Sequence, residues 1–187
     1  MKHSEVRQHI IETASHLFYK NGYNSTGINE VISEAGIAKA TLYNHFKSKE
    51  DICISYLNFK NAHFIETIKA FCESKPNGTA QVIAIFDFLE GFYNDKNFNG
   101  CWCLNTISEI PSDNVRIREE IQSQKQQFID FINDLIKTNL QISKQNERNT
   151  LANRLYIIYE GAVAESHLHR SDWPITEAKE FAKTILN

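Results

Sequence analysis

Seven glycines and three prolines are the only strong backbone breakers in 187 residues. Most of them stand between apolar stripes rather than inside them. Such residues turn the chain or end helices, and their scarcity leaves long segments free to stay helical. Within those segments the apolar side chains recur every three or four residues, the step of one helix face. Val6, Ile10, Ala14, Leu17 and Phe18 stripe residues 4–21, and Gly22 follows as a stop. Ile28, Val31, Ile32 and Ala35 stripe a short segment closed by Gly36, and 39–46 makes another. A long helix opens after Ser48, an N-cap with acidic residues behind it, and Pro76-Asn77-Gly78 ends it. Its stripe is Ile52, Tyr56, Leu57, Phe64, Ile68 and Phe71. Further stripes predict helices over 79–94, 101–110, 113–140, 147–170 and 174–186, with Trp173-Pro174 resetting the chain before the last. No segment alternates with the period of a strand. The expected fold is all-α.

Charge and composition remove several classes of function. The formal net charge is −3, so a nucleic-acid partner would have to be met by a local patch rather than by bulk basicity. No run of 18 apolar residues is present, so no membrane span is expected. The start, MKHSEVRQHI, has no apolar leader, and a cytoplasmic protein is expected. Cys53, Cys72, Cys101 and Cys103 are too few for a disulfide framework in a chain this long and read as free thiols.

The segment 28–46 has the pattern of a helix-turn-helix. Gly36 can take the positive φ that a sharp helix-to-helix turn demands, Ile37 is apolar enough to plug the angle, and Ala35 and Ala40 let the helices approach. In such a unit the second helix enters the major groove with its N-terminal residues nearest the base edges. Lys39, Ala40 and Thr41 occupy that end. Leu42 and Phe46 share one face of the helix, and Ala40, Tyr43 and Asn44 share the opposite one. Thr41, Tyr43 and His45 supply hydroxyl and imidazole groups for phosphate oxygens. Lys47 and Lys49 add charge on the same edge, with the N–H groups at the Ser48 cap as a second phosphate site.

With those residues in view, FYKNGYNSTGINEVISEAGIAKATLYNHFKSKEDI, residues 18–52, resembles the N-terminal domain of TetR/AcrR-type transcriptional regulators. The likeness is carried by Phe18 to Gly22-Tyr23, Thr26, Ala35-Gly36-Ile37, Thr41-Leu42-Tyr43, His45-Phe46 and Lys49-Glu50. The resemblance implies an N-terminal three-helix DNA-binding domain, residues 1–47, and a C-terminal helical domain, residues 48–187, for ligand binding and dimerisation. It implies a homodimeric repressor on double-stranded operator DNA, palindromic and released by a small-molecule inducer, with no cofactor. By position, Thr26, Lys39, Thr41, Tyr43, His45 and Lys49 match the family's DNA contacts, and Ala40 and Asn44 fall at its variable reading positions.

The remainder offers weaker patterns. The helix at 147–170 is apolar on two sides, Leu151, Leu155, Ile158 and Ala162 on one and Tyr156, Tyr159, Val163 and His167 towards another. Such a helix is buried on two sides, and the resemblance makes one of them a dimer surface with 174–186. Phe64, Phe86, Trp102, Phe128 and Tyr156 are candidates to line an apolar ligand cavity, with Asn105, Glu109, Glu160 and His167 as its sparse polar groups. Cys101, placed at a helix N-terminus after Gly100, is a candidate reactive thiol. That leaves open a redox- or electrophile-sensing repressor as the alternative effector chemistry. Cys101 and Cys103 are two residues apart and point to different sides of a helix, and so do His167 and His169, so neither a disulfide nor a metal site is expected. No nucleotide loop, nucleophile elbow or zinc motif is present. An all-helical enzyme or small-molecule carrier is the competing class, and without a catalytic cluster no enzyme is expected.

Overall fold

The computed structural model describes residues 3–186. Among them are nine helices and no strand: α1 His3–Asn21, α2 Ile28–Glu34, α3 Lys39–His45, α4 Lys49–Glu73, α5 Thr79–Tyr93, α6 Trp102–Glu109, α7 Val115–Asn139, α8 Gln145–His169 and α9 Trp173–Leu186. Where the ends depart from the sequence expectation, local hydrogen bonds explain the shift. The α7 helix starts at Val115 rather than at 113 because Asn114 caps it, its Oδ1 accepting the Ile117 N–H at 3.0 Å. Trp173-Pro174 does not precede α9 but opens it, since a first-turn proline lacks only an N–H that has no partner in the helix.

The chain packs as two compact units. One takes the residues up to 63 together with 102–124, that is α1–α3, the first part of α4, α6 and the start of α7. Its core is Ile10, Ala14, Leu17 and Phe18 of α1, Val31 of α2, Leu42 of α3 and Ile52, Tyr56 and Leu57 of α4, all nearly or fully buried. Phe18 meets Tyr56 and Tyr23 edge-on, with ring centroids 5.6 and 5.4 Å apart. That geometry suits the ring quadrupoles.

The other unit takes 64–101 and the residues from 125 onward. Here α9 packs on α8 and α5, and Lys179 of α9 forms an ion pair with Asp87 of α5. Val82, Ile85, Phe86, Leu89, Phe128, Ile132, Ile136, Leu155 and Tyr159 form its core. Asn139 at the end of α7 holds the start of α5, accepting the Gly78 N–H at 2.9 Å and donating to Gln81 Oε1 at 2.9 Å.

Candidate nucleic-acid interface and effector region

The short helices α2 and α3 are held by their ends. Glu30 Oε2 accepts the Gly27 N–H at 3.3 Å and so ties the first turn of α2. At the other end Ile37 N–H returns to Ile32 O at 3.2 Å and Gly36 N–H to Ser33 O at 3.1 Å. Gly36 sits at φ +62°. This is a Schellman-type stop, in which glycine takes the left-handed conformation without a Cβ clash.

The turn delivers α3 with Leu42 and Phe46 inward, at 0% and 2% exposure. Lys39, Ala40, Tyr43, Asn44 and Lys47 stand exposed, and Thr41 and His45 are half-buried. The structure thus brings most of the expected DNA-facing residues onto one outward edge, a carpet of amide, hydroxyl and ammonium groups. His45 lies edge-on to His3, with centroids 4.0 Å apart. Desolvation first, then His3 and Arg7, pushes its pKa down, so its imidazole is neutral near pH 7.

Three of the expected sites are engaged within the fold. Thr26 is fully buried, and its hydroxyl points inward to Gly22 O at 2.9 Å and Leu17 O at 3.3 Å. It supports the turn before α2 from inside. Lys49 is half-buried, with its Nζ over the Tyr23 ring 4.3 Å from the centroid. Desolvation lowers its pKa, while Cys53 and Glu109 oppose that shift. At the Ser48 cap, Ser48 Oγ accepts the Asp51 N–H and Asp51 Oδ2 accepts the Lys47 N–H, both at 3.1 Å. This reciprocal capping occupies N–H groups expected to meet phosphate. Arg116 of α7 then bridges Glu50 and Asp51 at 3.1 Å each.

The candidate effector residues divide. Within the second unit Phe128 is the centre of a ring cluster, with centroids 5.1 Å from Phe64, 6.1 Å from Tyr156 and 4.9 Å from Tyr159. Phe86 joins through Tyr159 at 6.1 Å. Trp102 and Asn105 belong to the first unit, where Lys60 lies over both the Tyr19 ring (4.2 Å) and the Trp102 ring (5.5 Å). His167 is exposed, 5.9 Å from the Phe98 ring. Glu109 faces the turn after α1 instead of a cavity, accepting the Asn24 N–H at 2.6 Å.

A polar cluster sits beside the rings. Lys125 Nζ donates to Glu160 Oε1 at 2.7 Å and to Cys101 Sγ at 3.2 Å. Burial pushes the Glu160 carboxyl up to about 7, reinforced by Cys101 and opposed by Lys125. Its Oε2 is buried without a hydrogen-bond partner among the described residues. The sequence reading named Glu160 and Cys101 but missed Lys125. The signal was present: Lys125 falls between Ile121 and Phe128 at the helical step of the buried α7 face. The other thiols differ from Cys101. Burial pushes Cys53 and Cys72 up to about 12, and Cys103 donates to Gln124 at 3.7 Å. None of the four cysteines is in a disulfide.

On α8 the outward face carries Ile157 (67% exposed), Gly161, Ala164 and Leu168 (71%) at helical spacing. Ile158, which shares its stripe with the buried Leu151, Leu155 and Ala162, is half-buried and stands beside this face. On α9, Trp173 and Phe181 are exposed as well. Among the described residues no group of three or more His, Cys, Asp and Glu could hold a metal ion, and no helix is long and apolar enough to cross a membrane.

Comparison with known proteins agrees with this geometry. Residues 10–55 match the family of bacterial regulatory proteins of the tetR type, and residues 78–182 match the tetracyclin repressor-like C-terminal domain. The HTH-type transcriptional repressor NemR of Escherichia coli K12 is 22% identical over 99% of this chain and 96% of its own. The HTH-type transcriptional regulator QacR of Staphylococcus aureus is 26% identical over 97% of this chain and 81% of its own. A crystal structure of a TetR-family transcriptional regulator from Streptomyces coelicolor superposes with a TM-score of 0.86 at 25% identity, covering 98% of this chain and 95% of that one. The chain belongs to the TetR family of bacterial transcriptional regulators, and its α2–α3 unit is that family's DNA-binding helix-turn-helix.

Proposed function

We propose that the protein is a cytoplasmic repressor that binds a palindromic operator as a homodimer and leaves it when a small-molecule inducer binds the C-terminal helices. The observation that carries the reading is the orientation of α3, with Leu42 and Phe46 anchored inward and Lys39, Ala40, Tyr43 and Asn44 turned out. A helix held this way offers base-reading and phosphate-binding groups without disturbing its own core. Repression is supported by NemR, a transcriptional repressor. The apolar faces of α8 and α9 support dimerisation, because exposed Ile157, Leu168, Trp173 and Phe181 gain from being covered. Two reading heads then meet successive major-groove faces.

The inducer site is assigned to the rings of Phe64, Phe86, Phe128 and Tyr156, with Glu160 as the polar group. An apolar enclosure with one or two polar atoms is what small ligands need. No enzymatic role is assigned, since no catalytic constellation accompanies these groups. A second reading has one observation in its favour: the Lys125 ammonium lies 3.2 Å from Cys101 Sγ, a cationic neighbour of the kind that favours a thiolate. Anisotropy titration of the DNA upstream of the protein's own coding sequence tests the main reading. The expected result is tight binding with two chains per site. A compound that raises the melting temperature should weaken DNA binding, and DNA should weaken that compound's binding by the same factor. Failure to bind that DNA, with a monomer at micromolar concentration, would contradict it. For the second reading, Cys101→Ser should keep DNA binding and lose release by an electrophile.

A further inference from the structure

We propose that Glu109, the last residue of α6, is a positioning residue for the DNA-reading helices: it holds the Gly22–Thr26 turn, and through that turn α6 sets where α2 and α3 stand. The inference rests on the assignment of α2–α3 as a DNA-binding unit. Five contacts converge on the turn. Glu109 Oε2 accepts the Asn24 N–H at 2.6 Å, and Asn24 Nδ2 donates to the Glu109 carbonyl at 2.5 Å. The carboxylate also lies against Gly22, where a Cβ would come within 2.7 Å of Glu109 Oε1. Gly22 has φ +94°, so glycine is demanded there twice, by backbone conformation and by the close approach of α6. From inside, the Thr26 hydroxyl points at Gly22 O. From α4, Lys49 lies over the Tyr23 ring and feels the Glu109 charge.

The turn is therefore the junction of four helices: α1 ends in it, α2 starts from it, α4 lays a lysine on it, and α6 grips it. Asn24 and Ser25 in the middle of the turn are exposed, and an exposed turn left to itself is mobile. The two-point grip by Glu109, one charge-assisted bond to backbone and one from a side chain, fixes both position and direction. Residues 102–124 accordingly pack in the same compact unit as α1–α3, although the 56 residues from 46 to 101 lie between the end of α3 and the start of α6. A second fastening, Arg116 to Glu50 and Asp51, joins the start of α7 to the start of α4. Any change that moves the end of α6 must then either carry the turn with it or break the Glu109 bonds.

The test uses the full chain, the upstream DNA fragment and hydrogen exchange. Glu109→Ala should weaken DNA binding by about tenfold or more, the size expected when a coupled pair is broken, while the salt dependence keeps the parent slope because no phosphate contact is lost. Lys47→Ala, by contrast, should reduce the slope by about one. Amides of α2 and α3 should exchange faster in Glu109→Ala, while those of α8 and α9 stay as in the parent. Parent-like DNA affinity, or acceleration spread evenly over all helices, overturns the proposal. Should Glu109→Ala fail to fold, Glu109→Gln and Asn24→Ala replace it: a double variant that loses less affinity than the two single losses combined supports the grip, and strict additivity overturns it. If the parent binds no DNA, the regulator reading fails, and the exchange comparison still decides the grip.

Discussion

The α2–α3 head and the aromatic helices of the second unit place their polar groups in opposite ways. In the head nearly every polar side chain near the reading edge is either exposed or used to close a helix end, as Glu30, Ser48 and Asp51 do. The aromatic unit instead encloses an ion pair, Lys125 with Glu160, with side chains only 19% and 16% exposed. An exposed polar edge suits a partner that brings many charges of its own and is met in water. A buried pair beside rings suits a small partner that replaces water altogether, and it makes that unit sensitive to proton and charge changes. One region is built to present groups, the other to enclose them.

The largest expected effect breaks the comparison at its shared requirement, the pairing of two heads. A charge at the outward α8–α9 face, Ile157→Glu or Phe181→Glu, should give monomers by light scattering and abolish tight operator binding, although neither residue is near DNA. Next comes the core of the head. Leu42→Ala, at a site with no exposure, should cost about 2–5 kcal/mol in chemical denaturation and remove DNA binding with it.

The buried pair gives a pH signature. Glu160 has a pKa raised from 4.5 to about 7 by burial, so its protonated form is the one the fold favours. The stability it contributes is fully present below pH 4.5, declines as pH rises, and is lost above about 7, an amplitude of about 3 kcal/mol. Denaturation midpoints across that range should show the decline in the parent, and Glu160→Gln should flatten it. Asp51 runs the other way. Although burial raises its pKa, hydrogen bonds from Arg116 and around Ser48 hold it below the ordinary carboxylate range, and its contribution fades only as pH falls into the acid range. The smallest effect sharpens the head alone: Asn44→Ala should alter which operator variant is preferred by a few-fold to about a hundredfold at one base pair, with melting temperature unchanged.

The two regions also differ in how far the sequence disclosed them. In the head the determinants are close in the chain. Gly36, Ile37, Leu42 and Phe46 fix the turn and the buried face within a dozen residues, so the orientation of Tyr43 and Asn44 follows from helical periodicity. What periodicity could not show was the fate of Thr26 and Lys49, because their partners are carbonyls of Leu17 and Gly22 and the ring of Tyr23. The remaining contacts join distant pairs: in the aromatic unit Lys125 meets residues 24 and 35 positions away, and in the first unit Glu109 meets one 85 positions away. Composition marks such residues as eligible, but only packing decides that Glu109 grips a turn, that His167 stays outside, and that Trp102 belongs with Lys60.

The central claim is that the outward face of α3 reads operator DNA. Tyr43 is 43% exposed while its neighbour Leu42 is fully buried, so Tyr43→Ala removes a presented group and leaves the core intact. Titrating the upstream DNA with this variant should show affinity at least about tenfold weaker than the parent's, with the same melting temperature and the same dimeric state. Parent-like affinity in a folded, dimeric Tyr43→Ala protein would contradict the account.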